Sequence, residues 1–160
     1  MATKGNTVLT KGIPTIKDAF VVIIKTEWNA HIIDELEIGC KRVLEENGVK
    51  CKTLVVPGAF EIPFAIKMHQ SKSKKQADAY VALGAVIKGD TPHFEYVCKG
   101  ITDGIMHLNV TLKVPTVFGI LTVDNEQQAV ERIGGLHGHK GEEAGITAIK
   151  MIALQQQVKL

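Results

Sequence analysis

The sequence predicts an α/β protein, a three-layer αβα sandwich around a four-stranded parallel sheet. Four short apolar runs alternate with longer segments in which apolar residues recur at helical spacing. The first and third runs, "AFVVIIK" and "AYVALGAVI", are almost continuously apolar, as in strands that are covered on both faces. Strands that alternate with helices form right-handed crossovers, which place helices on both faces of one sheet.

Local signals predict the elements of the first half in order. The first strand covers residues 19–25, and an amphipathic helix over residues 31–48 ends at a glycine. The second strand covers residues 52–58 and ends at a Pro-Gly pair. A second helix covers residues 61–72, with Pro63 near its start, where proline is tolerated.

The second half continues the alternation. The third strand covers residues 79–87, and a long helix runs from residue 91 or 92 to about residue 112. The fourth strand covers residues 114–123. A short helix over residues 125–135 ends at a glycine pair, and a last helix covers residues 141–157.

Composition indicates one globular domain in a chain of 160 residues. Residues 1–17 are predicted to form an arm outside the domain of residues 18–160. The net charge of +2 is too mild to indicate binding to nucleic acid or a membrane surface. Three scattered cysteines, the lack of a secretory signal and the lack of a long apolar run predict a cytoplasmic protein with reduced thiols.

Unusual residues follow the first three predicted strands. Trp28 follows the first, Glu61 the second, and the turn "KGDTPH" the third. Ligands of parallel sheets bind at the carboxyl ends of the strands. These residues are therefore expected to lie together at the ligand-binding edge.

The turn "KGDTPH" allows two interpretations. Gly89 permits close approach of a ligand, Thr91 offers a hydroxyl, and a helix N-terminus binds phosphate. Alternatively, Asp90 or Thr91 is an ordinary helix cap, and the Asp90 carboxylate would compete with an anion for the same donors. His93, in the first helical turn, is either a general acid–base or a structural histidine.

Other residues at this edge also leave alternatives open. Trp28 could stack on a flat ligand with Asn29 bonded to hydroxyls, or the indole could pack on the edge of the sheet. Glu61 could bind ligand hydroxyls or cap the second helix. In "ERIGGLHGHKG", Arg132 and Lys140 could bind phosphate or be ordinary surface charges. The His-x-His pair there has no third ligand at suitable spacing, so no metal is expected.

Taken together, these segments resemble the lumazine synthase family, also called the riboflavin synthase beta-chain family. The matching stretches occur in the family's order between about residues 18 and 153: "TEWNAHI", "VPGAFEIPFA", "GAVIKGDTPHFEYVC", "VFGILTVDNEQQAVERIGG" and "HKGEEAG". The resemblance implies a flavodoxin-like fold and a transferase of riboflavin biosynthesis. The enzyme would condense 5-amino-6-(D-ribitylamino)uracil with 3,4-dihydroxy-2-butanone 4-phosphate to 6,7-dimethyl-8-ribityllumazine, phosphate and water, without a cofactor.

The resemblance also implies roles for single residues. His93 would shuttle protons. Gly89, Asp90, Thr91 and Arg132 would bind the phosphate. The residues implied to bind the pyrimidine ring and the ribityl chain are Trp28, Asn29, Ala59, Phe60, Glu61, Val86, Ile87, Phe118 and Lys140. Of all these residues, Phe118, Arg132 and Lys140 would come from a neighbouring subunit.

An assembly of identical subunits is a further implication of the resemblance. The family's basic unit is a pentamer, and some members build a shell from twelve pentamers. The segment "GGLHGHKG" carries no insertion relative to shell-forming members, which favours the sixty-subunit form. The arm, through "NTVL", would add a strand to the sheet of an adjacent subunit. Riboflavin synthase is a further expected partner.

Departures from the family pattern keep other functions under consideration. Trp28 stands where phenylalanine is more usual, and Asp90 stands where a small residue is common. They motivate the alternative of a catalytically weak flavin-binding or shell-forming homologue. A signalling domain of the same fold would need an acidic cluster at its strand ends, but the first strand ends in "KTEW".

Overall fold

The computed structural model describes residues 11–158 and has a central sheet of four parallel strands in the order β2-β1-β3-β4. The sheet strands are β1 (Phe20–Thr26), β2 (Lys50–Val56), β3 (Ala79–Ile87) and β4 (Thr116–Val123). The helices are α1 (Ala30–Glu46), α2 (Ile62–Lys72), α3 (His93–Thr111), α4 (Glu126–Val130) and α5 (Lys140–Val158). A 3₁₀ turn, Ala59–Glu61, precedes α2. The predicted αβα sandwich is confirmed.

The sheet separates two hydrophobic cores, and β1 shows why both of its faces are apolar. Val21 and Ile23 belong to the core beneath α1 and α5. Val22 and Ile24 belong to the core beneath α2 and α3. All four side chains are fully buried, because successive residues of a strand point to opposite faces. A continuous apolar run is what a strand at this position requires.

The segment between β4 and α5 differs from its prediction. The predicted helix over residues 125–135 is wrong beyond Val130, where α4 ends. Strand β5 (Ile133–Gly135) pairs antiparallel with β6 (Gly138–His139) instead. Gly134 has φ 112° and Gly138 has φ 79°, and such values are readily adopted by glycine and end a helix. The glycine pair therefore belongs to a hairpin.

The chain before β1 contacts the domain within the described residues. Ile16 is buried in the core beneath α1 and α5, and Ile13 packs against that core. The predicted strand-adding segment "NTVL", residues 6–9, lies outside the described residues. The division at residues 17 and 18 stays a prediction. Between residues 11 and 158, no helix is both long and apolar enough to cross a bilayer.

Candidate active site

A cavity of about 550 Å³ lies at the carboxyl ends of β1, β2 and β3, beside the first turns of α3. Its volume is within the usual range for small-molecule sites. The predicted site residues that line it are Trp28, Asn29, Ala59, Phe60, Glu61, Val86, Ile87, Gly89, Thr91 and His93. The structure thus brings together the loops that follow the first three strands, as expected for a parallel sheet.

Trp28 forms an open aromatic wall of this cavity. The backbone N–H of Glu27 donates to the carbonyl of Val56 at 2.9 Å, and that of Trp28 donates to the carbonyl of Pro57 at 3.3 Å. These bonds hold the loop against the end of β2, while 70% of the Trp28 surface stays exposed. An indole packed on the sheet edge would be covered. The exposure favours the interpretation in which this ring stacks on a ligand.

Gly58 lies close to both the indole of Trp28 and the carboxylate of Glu61. A Cβ atom on Gly58 would lie 3.1 Å from Glu61 Oε2 and 3.5 Å from Trp28 Cε3. Glu61 stands at the N-cap of α2, but its side chain makes no capping hydrogen bond. The capping interpretation of Glu61 is therefore wrong, and its carboxylate lines the cavity as an acceptor for hydroxyl groups.

The end of β3 supplies the opposite part of the lining. Val86 and Ile87 are half-buried there. The Asn29 side-chain amide donates to the carbonyl of Ala85 at 3.1 Å. This bond leaves the Oδ1 atom of Asn29 as an acceptor and its second amide hydrogen as a donor for ligand hydroxyls.

The first turn of α3 has no side-chain cap. Its N-cap residue is Pro92, and no side chain bonds to the helix start. The interpretation of Asp90 or Thr91 as an ordinary cap is therefore wrong. A Cβ atom on Gly89 would meet nothing within 4 Å, so space remains beside this turn. A helix N-terminus with free N–H groups attracts anions, which makes it the phosphate-binding candidate in this cavity.

His93 is the first residue of α3 and lines the cavity. Its side chain is exposed. No hydrogen bond to its ring is found among residues 11–158. An imidazole in this position can accept and return a proton during a reaction.

Four predicted site residues do not line this cavity. Asp90 is exposed in the turn before α3. Phe118, on β4, packs against the core beneath α2 and α3. Arg132 lies between α4 and β5, and Lys140 begins α5 with its amine 3.4 Å from the carboxylate of Glu143. The single subunit alone does not bring Phe118, Arg132 or Lys140 to the cavity.

Sequence reasoning missed several residues of the lining. They are Thr26, Gly58, Ala85, Phe94, Tyr96 and Val97. Helical spacing could have indicated two of them, because Tyr96 and Val97 follow His93 by three and four positions and so share its helix face. Within the described part of the chain, no three side chains of the His, Cys, Asp and Glu types form a possible metal site.

Comparison with known proteins gives one consistent result. The model of the 6,7-dimethyl-8-ribityllumazine synthase family matches residues 18–156. The protein of that name from Parabacteroides distasonis is 44% identical over 143 residues, 88% of each chain. The one from Porphyromonas gingivalis is 42% identical over 91% of each chain. The one from Christiangramia forsetii is 43% identical over 99% of this chain and 98% of its own.

Proposed function

The chain belongs to the 6,7-dimethyl-8-ribityllumazine synthase family, and we infer from this that it is a transferase of riboflavin biosynthesis. It condenses 5-amino-6-(D-ribitylamino)uracil with 3,4-dihydroxy-2-butanone 4-phosphate to 6,7-dimethyl-8-ribityllumazine, phosphate and water. One observation carries the assignment to this site. A single cavity combines an exposed indole, a free carboxylate and an uncapped helix start that bears a histidine.

The pyrimidine substrate matches one side of the cavity. Its flat ring would stack on Trp28, with Phe60 nearby and the ends of Val86 and Ile87 facing it. Its ribityl hydroxyls would bond to Asn29 and Glu61 and to the backbone at Ala59. The Glu61 carboxylate can accept hydrogen bonds from two or more hydroxyl groups. The ring and the sugar chain are thereby oriented before the second substrate reacts.

The phosphate substrate matches the other side. Its phosphate group would lie at the turn Gly89–Thr91, where the start of α3 offers free N–H groups. Asp90 does not line the cavity, so its carboxylate conflicts less with phosphate than its position in the sequence implied. Arg132 of a neighbouring subunit would pair with the phosphate through its planar guanidinium, with Lys140 of that subunit close by at the bound pyrimidine.

The chemistry requires proton transfers that His93 is placed to perform. The amine of the pyrimidine attacks the ketone, and loss of water gives an imine. Elimination of phosphate follows, and a second amine closes the ring with loss of water. Each step moves a proton on or off nitrogen or oxygen. His93, beside the phosphate turn, would accept and return these protons.

We propose further that the enzyme works as an assembly of identical subunits. Large apolar side chains are exposed on α2 and α3, among them Phe64, Met68, Met106 and Val110. Exposed apolar surface on this scale is typical of an interface. Such an interface would also bring in Phe118, Arg132 and Lys140, which the cavity of one subunit lacks. We expect a pentamer, with twelve pentamers forming a shell and with riboflavin synthase as a further partner.

A cytoplasmic location is part of the same proposal. All three cysteines are unpaired, with Cys40 buried and Cys51 and Cys98 half-buried. Burial raises the pKa of the Cys40 thiol to about 12. A chain with several unpaired thiols is typical of a reducing compartment.

A product assay tests the function directly. Purified, assembled protein is mixed with both substrates, and lumazine absorbance and fluorescence are followed against an enzyme-free blank. We expect formation well above the blank, reduced about 10²-fold or more in His93→Ala. His107→Ala is the matched control, because His107 is an exposed histidine of the same helix. A rate equal to that of the blank would refute the synthase activity and favour the alternative of a flavin-binding or shell-forming homologue. Full activity of His93→Ala would refute the proton-shuttle role.

A further inference from the structure

Asn29 has an uncommon backbone conformation at the edge of the cavity. Its φ is 61° and its ψ is 40°, in the left-handed region. Among residues other than glycine, asparagine is one of the few that enter this region readily. The carbonyl of Asn29 accepts from the N–H groups of Ile32 at 2.9 Å and Ile33 at 3.1 Å. The backbone of Asn29 thus turns the chain from the Trp28 loop into α1.

The side chain of Asn29 has a different partner from the one expected at a helix start. An asparagine at the N-cap commonly accepts a hydrogen bond from the second or third helical N–H. Asn29 is the N-cap of α1, yet it makes no such bond. Its amide nitrogen instead donates to the carbonyl of Ala85 at 3.1 Å. The Asn29 side chain therefore bonds to β3 and does not cap α1.

Ala85 lies where pairing between β1 and β3 has ended. The register of the two strands stops at Lys25 and Leu83, whereas β3 continues to Ile87. The carbonyl of Ala85, two residues past Leu83, therefore has no partner on β1. The Asn29 amide occupies that place and extends the link between the two strands to the edge of the cavity. Ala85 is buried, so an unpaired carbonyl at this position would be costly.

This bond acts on the position of Trp28. On the β2 side, the Trp28 N–H donates to the carbonyl of Pro57. The Trp28 carbonyl accepts from the hydroxyl of Thr26, the last residue of β1, at 3.2 Å. On the β3 side, the next residue is held by the Asn29–Ala85 bond. The separation between the indole and the end of β3 depends on both attachments. That separation is the width available to a flat ring.

We propose that Asn29 is a positioning residue that sets the slot between Trp28 and the end of β3 through its bond to Ala85. The identity of the flat ligand, the pyrimidine substrate, rests on the function proposed above. The position of Trp28 does not depend on that function. Because only one amide hydrogen is bonded to Ala85, the oxygen of Asn29 and its second amide hydrogen remain for ribityl hydroxyls.

Two variants separate the backbone role from the side-chain role. Asn29→Gly keeps easy access to the left-handed region but removes the bond. Asn29→Asp keeps size and backbone preference but replaces the donor by an acceptor. Asn47→Asp is the matched control, because Asn47 flanks the other end of α1 and its amide donates to the carbonyl of Val43 at 2.8 Å. Circular dichroism and size-exclusion chromatography establish that each variant is folded and assembled.

Trp28 is the single tryptophan of the chain, so time-resolved anisotropy of its emission reports on this loop alone. We expect a larger amplitude of the sub-nanosecond anisotropy decay, which reports local motion of the indole, in both Asn29 variants. Asn47→Asp should have the wild-type decay. We also expect KM for the pyrimidine substrate to rise about tenfold, the loss of one hydrogen bond, with a smaller change in kcat. If Asn29→Gly does not fold, the anisotropy and KM of Asn29→Asp test the proposal.

Three outcomes would overturn the proposal. The first is wild-type anisotropy of Trp28 in both Asn29 variants, even if KM rises, because Asn29 would then act on binding only through its own contact with the substrate. Equal loosening in Asn47→Asp would mean that any lost asparagine bond on α1 has this effect. Loosened Trp28 with an unchanged KM would mean that the slot does not control binding. If wild-type protein makes no product, the proposed function fails, and the anisotropy still tests whether Asn29 holds Trp28.

Discussion

Two glycines of α3 allow the cavity wall and the fold to be perturbed separately. A Cβ atom on Gly100 would lie 2.5 Å from Phe60 Cε2, and one on Gly104 would lie 2.7 Å from Pro63 Cγ. Phe60 is 62% exposed, so its ring can swing away. The ring of Pro63, fixed in the first turn of α2, cannot. Gly100→Ala should therefore move a wall of the cavity, whereas Gly104→Ala should strain the helix packing.

The magnitudes follow from these contacts. Alanine in a helix interior stabilises by up to about 1 kcal/mol relative to glycine. Gly100→Ala should keep this gain but weaken lumazine binding about three- to tenfold, because an aromatic contact contributes about 0.5–1.5 kcal/mol. In Gly104→Ala, overpacking costs about 1–3 kcal/mol and exceeds the gain. That variant should be about 1 kcal/mol less stable while its affinity is retained.

Urea unfolding measures the stability of the two variants, and quenching of Trp28 emission by added 6,7-dimethyl-8-ribityllumazine measures their affinity. Each variant is the control of the other, since both make the same substitution on one helix. Unchanged affinity in Gly100→Ala would refute the role of Phe60 as a wall. Equal destabilisation of both variants would refute the distinction between a ring that can move and one that cannot.

Further predictions concern charge and packing. Burial by itself would raise the pKa of the Glu37 carboxyl. Hydrogen bonds from Lys25, Lys41 and Thr53 outweigh this effect and lower the pKa from 4.5 to about 2. This carboxylate therefore stabilises the fold above pH 4.5, and its contribution is lost as the pH falls toward 2. Glu37→Gln should lower the free energy of unfolding by about 2 kcal/mol at pH 7. The free energy of unfolding measured in urea should then vary less between pH 4.5 and pH 2 than in the wild type; an unchanged dependence on pH would contradict this. Arg132→Ala should raise KM for the phosphate substrate about 10- to 100-fold and leave pyrimidine binding intact; unchanged saturation by the phosphate substrate would count against it. A Cβ atom on Gly141 would overlap the carbonyl oxygen of Leu36, so Gly141→Ala should destabilise by about 3 kcal/mol, and wild-type stability in urea would show that α1 and α5 can separate there.

Much of the fold could be predicted because its signals are local. The continuous apolar runs of β1 and β3 predict strands covered on both faces, and those strands are buried as expected. The hairpin β5–β6 could not be predicted in this way. Its strands are three and two residues long, too short to show a period, and its glycines also fit a helix end.

The candidate site was predictable to the extent that chain order determines position. Trp28, Glu61 and His93 each follow a strand of a parallel sheet, and the carboxyl ends of such strands lie at one edge. Whether Glu61 and the residues before His93 cap their helices was left open by the sequence. The structure decides both, because capping depends on side-chain geometry within one turn.

The sequence by itself determined the class of the fold, the order of its strands and helices along the chain, and the family, since periodicity and motif are properties of neighbouring residues. The tertiary structure alone decided which strands are adjacent and which side chains meet across them. The order β2-β1-β3-β4 sets the end of β1 beside the end of β3. It thereby joins Asn29 to Ala85 across 56 positions, a contact that requires the whole sheet to be assembled.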